Sequence, residues 1–173
     1  MNVLSYNSDN YIFHIDVNSA FLSWSALKKL QEEPGSIDLR TIPSAVGGDV
    51  KTRHGIITAK SIPAKKYGIV TGEPVIKALQ KCPKLVLVQS DFATYKKYSH
   101  AFIDILNKYS PRVQQVSVDE AYLDMTGMKS VYADLVTPDM PFPICVADKI
   151  KNEIRDTLGF TESKIGRAVQ QEC

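Results

Sequence analysis

The chain has 173 residues, of which 44% are hydrophobic and 23% charged, and its net charge is +2 at pH 7. That length suffices for one well-buried domain with a small subdomain, and the composition is that of an ordinary globular protein. Because the net charge is close to zero, the chain is not uniformly basic, and any nucleic-acid-binding surface must be local.

The three cysteines, Cys82, Cys145 and Cys173, are widely spaced, which fits neither a disulfide framework nor a zinc site. No apolar run approaches the length of a membrane span, and residues 1–10 lack the core of a signal peptide. We therefore expect a cytoplasmic protein in a reducing environment, with no membrane partner.

The first predicted strand, residues 11–17, is apolar almost throughout, as expected of a strand covered on both faces, and Asp16 is its only charged residue. Charged groups are rarely buried unless they are paired or bound to a metal. Asp16 is therefore predicted to lie at the rim of the sheet or to be a ligand.

A helix is predicted next, because Phe21, Trp24 and Leu27 recur at helical spacing, and Asn18 or Ser19 is its expected cap. Its first backbone N–H groups follow Asp16 directly in the chain, which predicts a phosphate site beside a cation site. Core packing is the alternative for the two aromatic residues.

Residues 37–71 contain glycines, basic residues and short predicted strands. Gly47-Gly48-Asp49 indicates a turn, residues 55–59 a strand, and Pro63 and Gly68 the two ends of a short helix. A basic patch here is suited to phosphate contacts, although a solvated lysine face is the alternative. The patch comprises Lys51, Arg53, His54, Lys60, Lys65 and Lys66.

A buried strand at residues 85–88 and a long helix capped by Asp91 follow. The predicted apolar face of that helix comprises Phe92, Tyr95, Phe102, Leu106 and Tyr109. The last predicted helix has an apolar residue at every fourth position from Val146 to Leu158, and Gly159 ends it.

Residues 117–124 contain two adjacent acids, Asp119 and Glu120, between two predicted strands. Neighbouring carboxylates repel each other, so they need a nearby cation or open water, and a solvated turn is the alternative. If the strand ending in Asp16 lies beside this hairpin, three carboxylates converge. Oxygen ligands of this kind suit Mg²⁺ and in-line phosphoryl transfer.

The predicted elements give the order strand, helix, inserted subdomain, strand, strand, helix. This order is an α+β arrangement and most of a ferredoxin-like split βαβ unit, with its final strand missing. In such a unit the first and third strands are neighbours. That pairing would bring Asp16 to Asp119.

Four stretches together resemble the N-terminal part of the Y-family, or translesion, DNA polymerases. They are residues 14–21, 64–69, 109–111 and 117–124, and the Ser-x-Asp-Glu-Ala-Tyr-Leu-Asp run is the most specific. The resemblance covers roughly residues 11 to 160. It implies a palm-like catalytic domain at residues 1–36 and 80–160, a fingers-like insertion at 37–79, and a tail at 161–173 that does not match.

The resemblance also implies the site and its ligands. Asp16, Asp119 and Glu120 are the implied catalytic carboxylates, and with the carbonyl of Val17 they would hold two Mg²⁺ ions. Phe21 falls at the sugar gate, the ring that excludes a ribonucleotide. The implied nucleotide-binding residues are Val17, Asn18, Ser19, Ala20, Phe21 and Lys65. The implied partners are primer–template DNA, a deoxynucleoside triphosphate, and a sliding clamp that binds a C-terminal region.

Two departures modify this expectation. Ile62 and Lys65 stand where the family often has a tyrosine and an arginine, and lysine lacks the bidentate fork of arginine. The thumb and little-finger domains are also expected to be absent. We therefore expect a truncated catalytic fragment that polymerises weakly or not at all.

Two other functions stay open from the sequence. A palm-fold nucleotide cyclase uses two metals in a similar arrangement, and Gly47-Gly48-Asp49 is the feature that suggests it. A non-catalytic binding remnant is the second, because a missing final strand would leave a sheet edge open for another chain.

Overall fold

The computed structural model describes residues 10–48 and 55–167, and for Glu162–Arg167 it describes the backbone alone. The chain divides into two compact units. Unit 1 comprises Met1–Val17 and Ser99–Cys173, and unit 2 comprises Asn18–Tyr98. This division rests on compactness and assigns no functional subdomain, so the palm-like and fingers-like boundaries stay predictions.

The strands are β1 (Ile12–Val17), β2 (Ser44–Gly47), β3 (Ile57–Lys60), β4 (Val86–Val88), β5 (Val113–Gln115), β6 (Glu120–Asp124) and β7 (Glu162–Arg167). The α-helices are α1 (Ala20–Glu32), α2 (Ile62–Lys66), α3 (Val75–Lys81), α4 (Phe92–Tyr109) and α5 (Phe142–Leu158). Within residues 10–48 and 55–167, no helix is both long and apolar enough to cross a membrane.

Unit 1 contains a four-stranded sheet in the order β5-β6-β1-β7, and every neighbouring pair is antiparallel. Along the chain, β1 and α1 are followed by an insertion that includes β2 to β4, and α4, β5, β6, α5 and β7 come after it. This order of elements and strands is the predicted ferredoxin-like split βαβ arrangement. The first strand and the second strand of the hairpin are neighbours, as that arrangement requires.

The predicted absence of a final strand is not what the structure shows. β7 pairs with the outer edge of β1, so that edge is covered, and the expectation of an open edge there was wrong. The residues of β7 are mostly polar and include Gly166, types that are depleted in strands. Backbone pairing with β1 forms this strand despite its low intrinsic preference.

The predicted burial of β1 on both faces was also wrong. Phe13, Ile15 and Val17 are buried, whereas Ile12, His14 and Asp16 are half-buried. β6 alternates in the same way, with Ala121 and Leu123 buried. The pair therefore has one core face and one solvent-accessible face, which is common in antiparallel sheets.

The helices of unit 1 bear out their sequence patterns. On α5, Val146, Ile150 and Ile154 are fully buried, and Gly159 ends the helix in a left-handed conformation at φ 76°. Glu153 connects α5 to α4, accepting hydrogen bonds from Lys108 Nζ at 2.8 Å and Tyr109 Oη at 2.5 Å. These bonds lower the pKa of Glu153, and the bond from Lys108 has the larger effect.

Unit 2 contains a three-stranded sheet in the order β3-β2-β4, in which β2 pairs antiparallel with β3 and parallel with β4. The predicted strand at residues 85–88 is β4, but it is not buried, since Val86 is 40% exposed. One core cluster of this unit comprises Ala45, Ile57, Ala64, Ile69, Val75, Ala78, Cys82 and Leu85.

Three helix predictions in unit 2 can be checked. Asp91 caps α4 through its Oδ1, which accepts from the backbone N–H of Thr94 at 3.1 Å, as predicted. The short helix predicted from Pro63 to Gly68 is α2, which has Pro63 in its first turn; its cap, Ser61, was not predicted and accepts from Ala64 N at 3.0 Å. The placement of Phe92 on the apolar face was wrong, because its side chain is 73% exposed in the first turn.

Candidate metal and nucleotide site

Asp16 and Glu120 lie directly opposite each other across the β1–β6 pair. Opposed residues in antiparallel strands carry their side chains on the same face, with Cβ atoms about 4.5 to 5.5 Å apart. Both residues are half-buried on the solvent-accessible face. Residues separated by about a hundred positions in the sequence thus place two carboxylates together on one rim.

Asp119 is tied to the same place through its backbone. Its carbonyl oxygen accepts a hydrogen bond from the N–H of Val17 at 2.9 Å, and its Oδ1 accepts from Ser117 Oγ at 2.6 Å. The residue immediately precedes β6, so the two acids do lie at the tip of a hairpin. The strand predicted at residues 116–119 was wrong, since β5 ends at Gln115 and residues 116–119 form the loop.

His14 is a member of this site that sequence reasoning missed. Its Nε2 is hydrogen-bonded to Oε1 of Glu120, and its ring lies against that of Tyr122, with centroids 4.9 Å apart. The signal was available, because a residue two positions before Asp16 on a strand shares its face. What the sequence could not give was the register, which brings His14 within reach of Glu120.

The donor set fits a hard divalent cation, since all three predicted side-chain ligands are carboxylates. Among residues 10–48 and 55–167, however, no three His, Cys, Asp or Glu side chains form a ready-made metal cage. Glu120 is hydrogen-bonded to His14, and Asp119 to Ser117. Mg²⁺ commonly uses one or two carboxylates together with water and substrate phosphates, so a complete protein cage is not required.

Asp124 lies at the other end of β6 on the same accessible face as Glu120, and its contacts are those of an acid with a structural role. Its Oδ2 lies 2.9 Å from Arg112 Nε, and its Oδ1 accepts from Thr126 N at 2.8 Å. Burial alone would raise the pKa of Asp124, but the Thr126 hydrogen bonds and the Arg112 charge outweigh it and lower the pKa. This carboxylate is therefore held by protein partners.

The predicted phosphate-binding segment belongs to unit 2. Asn18 and Ser19 are exposed, and Ser19 adopts a left-handed conformation at φ 45° before α1. Ser19 stands at the cap position of α1, but its side chain makes no capping bond, and the Asn18 carbonyl accepts from Ser23 Oγ at 2.9 Å. Left-handed conformations at residues other than glycine cost energy and cluster at functional sites.

Phe21 and Lys65 lie in different surroundings within unit 2. Phe21 is half-buried, and its ring stacks on Tyr95 with centroids 4.7 Å apart, while Trp24 is fully buried. Core packing is thus confirmed for Trp24. Lys65 is exposed on α2, one turn after Ile62, which is 73% exposed. The basic residues at positions 51, 53 and 54 lie outside the described part of the chain.

The antiparallel sheet, with an acid near the end of β1 and two acids at the adjacent hairpin, is the arrangement expected from the resemblance to the Y-family polymerases. The family model described as the impB/mucB/samB family matches residues 15–169. The chain belongs to this family, and the resemblance found in the sequence is confirmed.

Relatives named DNA polymerase IV support the same assignment. One, from Clostridium acetobutylicum, is 46% identical over 154 residues, which is 87% of this chain and 35% of that relative. Another, from Francisella tularensis subsp. novicida, is 36% identical over 152 residues, covering 88% of this chain and 39% of that relative. The chain thus spans well under half the length of these relatives.

Solved structures share the fold. DinB from Sulfolobus solfataricus gives a TM-score of 0.71 at 25% identity, covering 91% of this chain and 41% of that one. The structure titled "Insertion ternary complex of Dbh DNA polymerase" gives a TM-score of 0.72 at 26% identity, covering 91% of this chain and 42% of that one.

Proposed function

We propose that this chain is the palm and fingers part of a DNA-directed DNA polymerase of the translesion type. The reaction is template-directed addition of a deoxynucleotide to a primer 3′-hydroxyl during bypass of DNA damage. The observation that carries the proposal is the pairing of Asp16 with Glu120 across two strands of a member of this family. A backbone hydrogen bond from Val17 to Asp119 holds the third acid beside them.

Asp16, Asp119 and Glu120, with the carbonyl of Val17, are the residues that we propose to hold two Mg²⁺ ions. When bound, such ions activate the 3′-hydroxyl and neutralise the charge on the triphosphate. Support comes from the chemistry of the donors and from their position on a solvent-accessible sheet face. Asp119 and Glu120 each accept a hydrogen bond from a neighbouring side chain, and each carboxylate has further lone-pair directions for a cation.

The nucleotide is assigned to the chain segment that directly follows Val17. The backbone N–H groups of Asn18 to Phe21 are proposed to bind the triphosphate, Lys65 to add a positive charge, and Phe21 to act as the sugar gate. Exposure of Asn18, Ser19 and Lys65 agrees with this role. Because Ile62 has no hydroxyl and lysine binds phosphate as a point charge, we expect weaker nucleotide binding than with tyrosine and arginine.

The proposed macromolecular partner is primer–template DNA. Phosphate contacts supply much of the affinity of DNA-binding proteins, and the chain spans only 35% of the Clostridium acetobutylicum relative. We therefore expect weak DNA binding and slow extension by this chain alone. Contact with a sliding clamp stays a prediction.

A thermal-shift titration with Mg²⁺ and dATP tests the proposal on the chain itself. Ligand that binds only the folded state raises the melting temperature, so the wild type is expected to shift, and Asp119→Ala and Glu120→Ala are expected to lose the Mg²⁺-dependent part. Asp134→Ala, at an exposed acid in the short 3-10 helix Ala133–Leu135, is the matched control.

A primer-extension assay with the same variants then tests the reaction. Extension by the wild type that both alanine variants lose would support the polymerase. A wild type with no ligand-induced shift and no extension would favour the binding remnant. A cyclic nucleotide formed from GTP or ATP without DNA would favour the cyclase.

A further inference from the structure

We propose that His14 is a positioning residue, which orients the Glu120 carboxylate toward the cation. The inference rests on the proposed function, because it concerns the same carboxylates. It assigns a role to a side chain that the resemblance to the polymerase family left without one. Two contacts of His14 and the remaining lone pairs of the Glu120 carboxylate support this role.

The first contact is the hydrogen bond between His14 Nε2 and Glu120 Oε1. A carboxylate can only accept, so the imidazole donates through an N–H at Nε2. The two residues are diagonal neighbours, since the register pairs His14 with Tyr122 and Asp16 with Glu120. His14 therefore approaches Glu120 from the direction of Tyr122, two residues further along β6. Its hydrogen bond limits the rotation of the Glu120 carboxylate.

The second contact fixes His14 itself. Its ring lies against the ring of Tyr122, its direct cross-strand partner, with centroids 4.9 Å apart and planes inclined by 32°. Aromatic pairs at this separation are favourable and restrict both rings. The imidazole is thus held from one side while it donates to Glu120 on the other.

The Glu120 carboxylate keeps acceptor sites for a cation while it is bonded to His14. A carboxylate has two oxygens with about four lone-pair directions, and one N–H bond uses one of them. His14 can therefore orient Glu120 without displacing a metal ion from it. Partners of this kind, which bind a ligand rather than the metal, typically change metal affinity by about 10- to 100-fold when removed.

A purely structural pairing predicts a different pattern. The side chains of His14 and Glu120 are 33% and 34% exposed, and accessible pairs of this kind contribute little to stability. If the contact only joined the two strands, its loss would lower the melting temperature slightly and leave cation affinity unchanged. Cation affinity is therefore the measurement that separates the two roles.

The test measures Mn²⁺ binding to the chain by the loss of the free-ion electron paramagnetic resonance signal, with melting curves recorded for every variant. His14→Phe keeps a ring against Tyr122 but removes the donor, and we expect its affinity to fall by about tenfold. His14→Gln keeps a donor and should stay within about twofold of the wild type. His100→Gln, at an exposed histidine of α4, is the control.

Equal affinity in His14→Phe and the wild type would overturn the positioning role while leaving the metal site intact. Wild-type binding that does not differ from that of Asp16→Ala would contradict the proposed function itself. A second readout does not depend on the folding of a His14 variant. In long-range ¹H–¹⁵N spectra, Glu120→Gln should shift the ring nitrogens of His14 and not those of His100, and an unmoved His14 signal would oppose the proposal.

Discussion

The two faces of the β1–β6 pair share one backbone but carry opposite chemistry. Phe13, Ile15 and Leu123 are almost completely buried on one face, whereas Asp16 and Glu120 lie half-buried on the other. Because side chains alternate along a strand, Asp16 lies between the buried residues Ile15 and Val17, and Glu120 is followed by the buried Ala121. The core face thereby fixes the register that places the acids opposite each other.

The contrast between the buried and the accessible face shows how the carboxylates of Asp16 and Glu120 acquire a fixed position. Two like charges directly opposite each other on a sheet are unfavourable. The pairing of Asp16 with Glu120 therefore needs a stabilising contribution from other residues of the two strands. The buried face supplies the stability of the strand pair. Three substitutions, in order of decreasing expected effect, separate its contribution from that of the accessible face.

Leu123→Ala should have the largest effect, and on stability alone. Leu123 is fully buried and pairs with Phe13 on β1 and Val113 on β5. Truncating a buried leucine typically costs about 2 to 5 kcal/mol, from lost burial and the cavity that is left. Urea unfolding at neutral pH measures the loss. A change below about 0.5 kcal/mol, the range of ordinary surface substitutions, would show that this face does not anchor the sheet.

Glu120→Gln should instead weaken cation binding and leave stability almost unchanged. The glutamine still offers an oxygen to His14, and the repulsion from Asp16 disappears, so the free energy of unfolding should change by less than about 1 kcal/mol in either direction. Mn²⁺ affinity should fall by about tenfold or more, since a ligand carboxylate is lost. A large loss of stability with unchanged Mn²⁺ affinity would assign Glu120 to the structure instead.

Asp124→Asn should have the smallest effect and should depend on pH. Arg112 and Thr126 lower the folded-state pKa of Asp124, so its carboxylate stabilises the protein above the unfolded-state value of about 4. At pH 7 the variant should lose less than about 1 kcal/mol, because the pair is partly exposed. As the pH falls through the folded-state pKa, the difference from the wild type should vanish. A difference that persists in acid would contradict this role of the charge.

Local signals in the sequence predicted several elements correctly. Asp91 caps the start of α4 through its bond to the nearby Thr94 N–H, and Gly159 ends α5 through its own left-handed backbone, so both signals are local in the chain. The adjacent acids at the hairpin were also found, because their positions between two short apolar runs are a local pattern.

Long-range pairing decided the features that the sequence did not reveal. β7 is polar and forms because the edge of β1 accepts it, which no local preference indicates. His14 reaches Glu120 only in the observed register of β1 and β6. The same dependence applied to Asp16, whose alignment with the hairpin followed from the assumed split βαβ order and not from its neighbours in the chain.

The position at which a paramagnetic cation binds tests the proposed cation site most directly. Mn²⁺ titrated into the ¹⁵N-labelled chain broadens the amide signals nearest to it. The account predicts that residues 15–17 and 119–121 broaden first, that Asp124 and Arg112 broaden much later, and that Asp16→Ala abolishes the early effect. Early broadening around Asp124, or an unchanged pattern in Asp16→Ala, would contradict the assignment of the paired acids as the cation site.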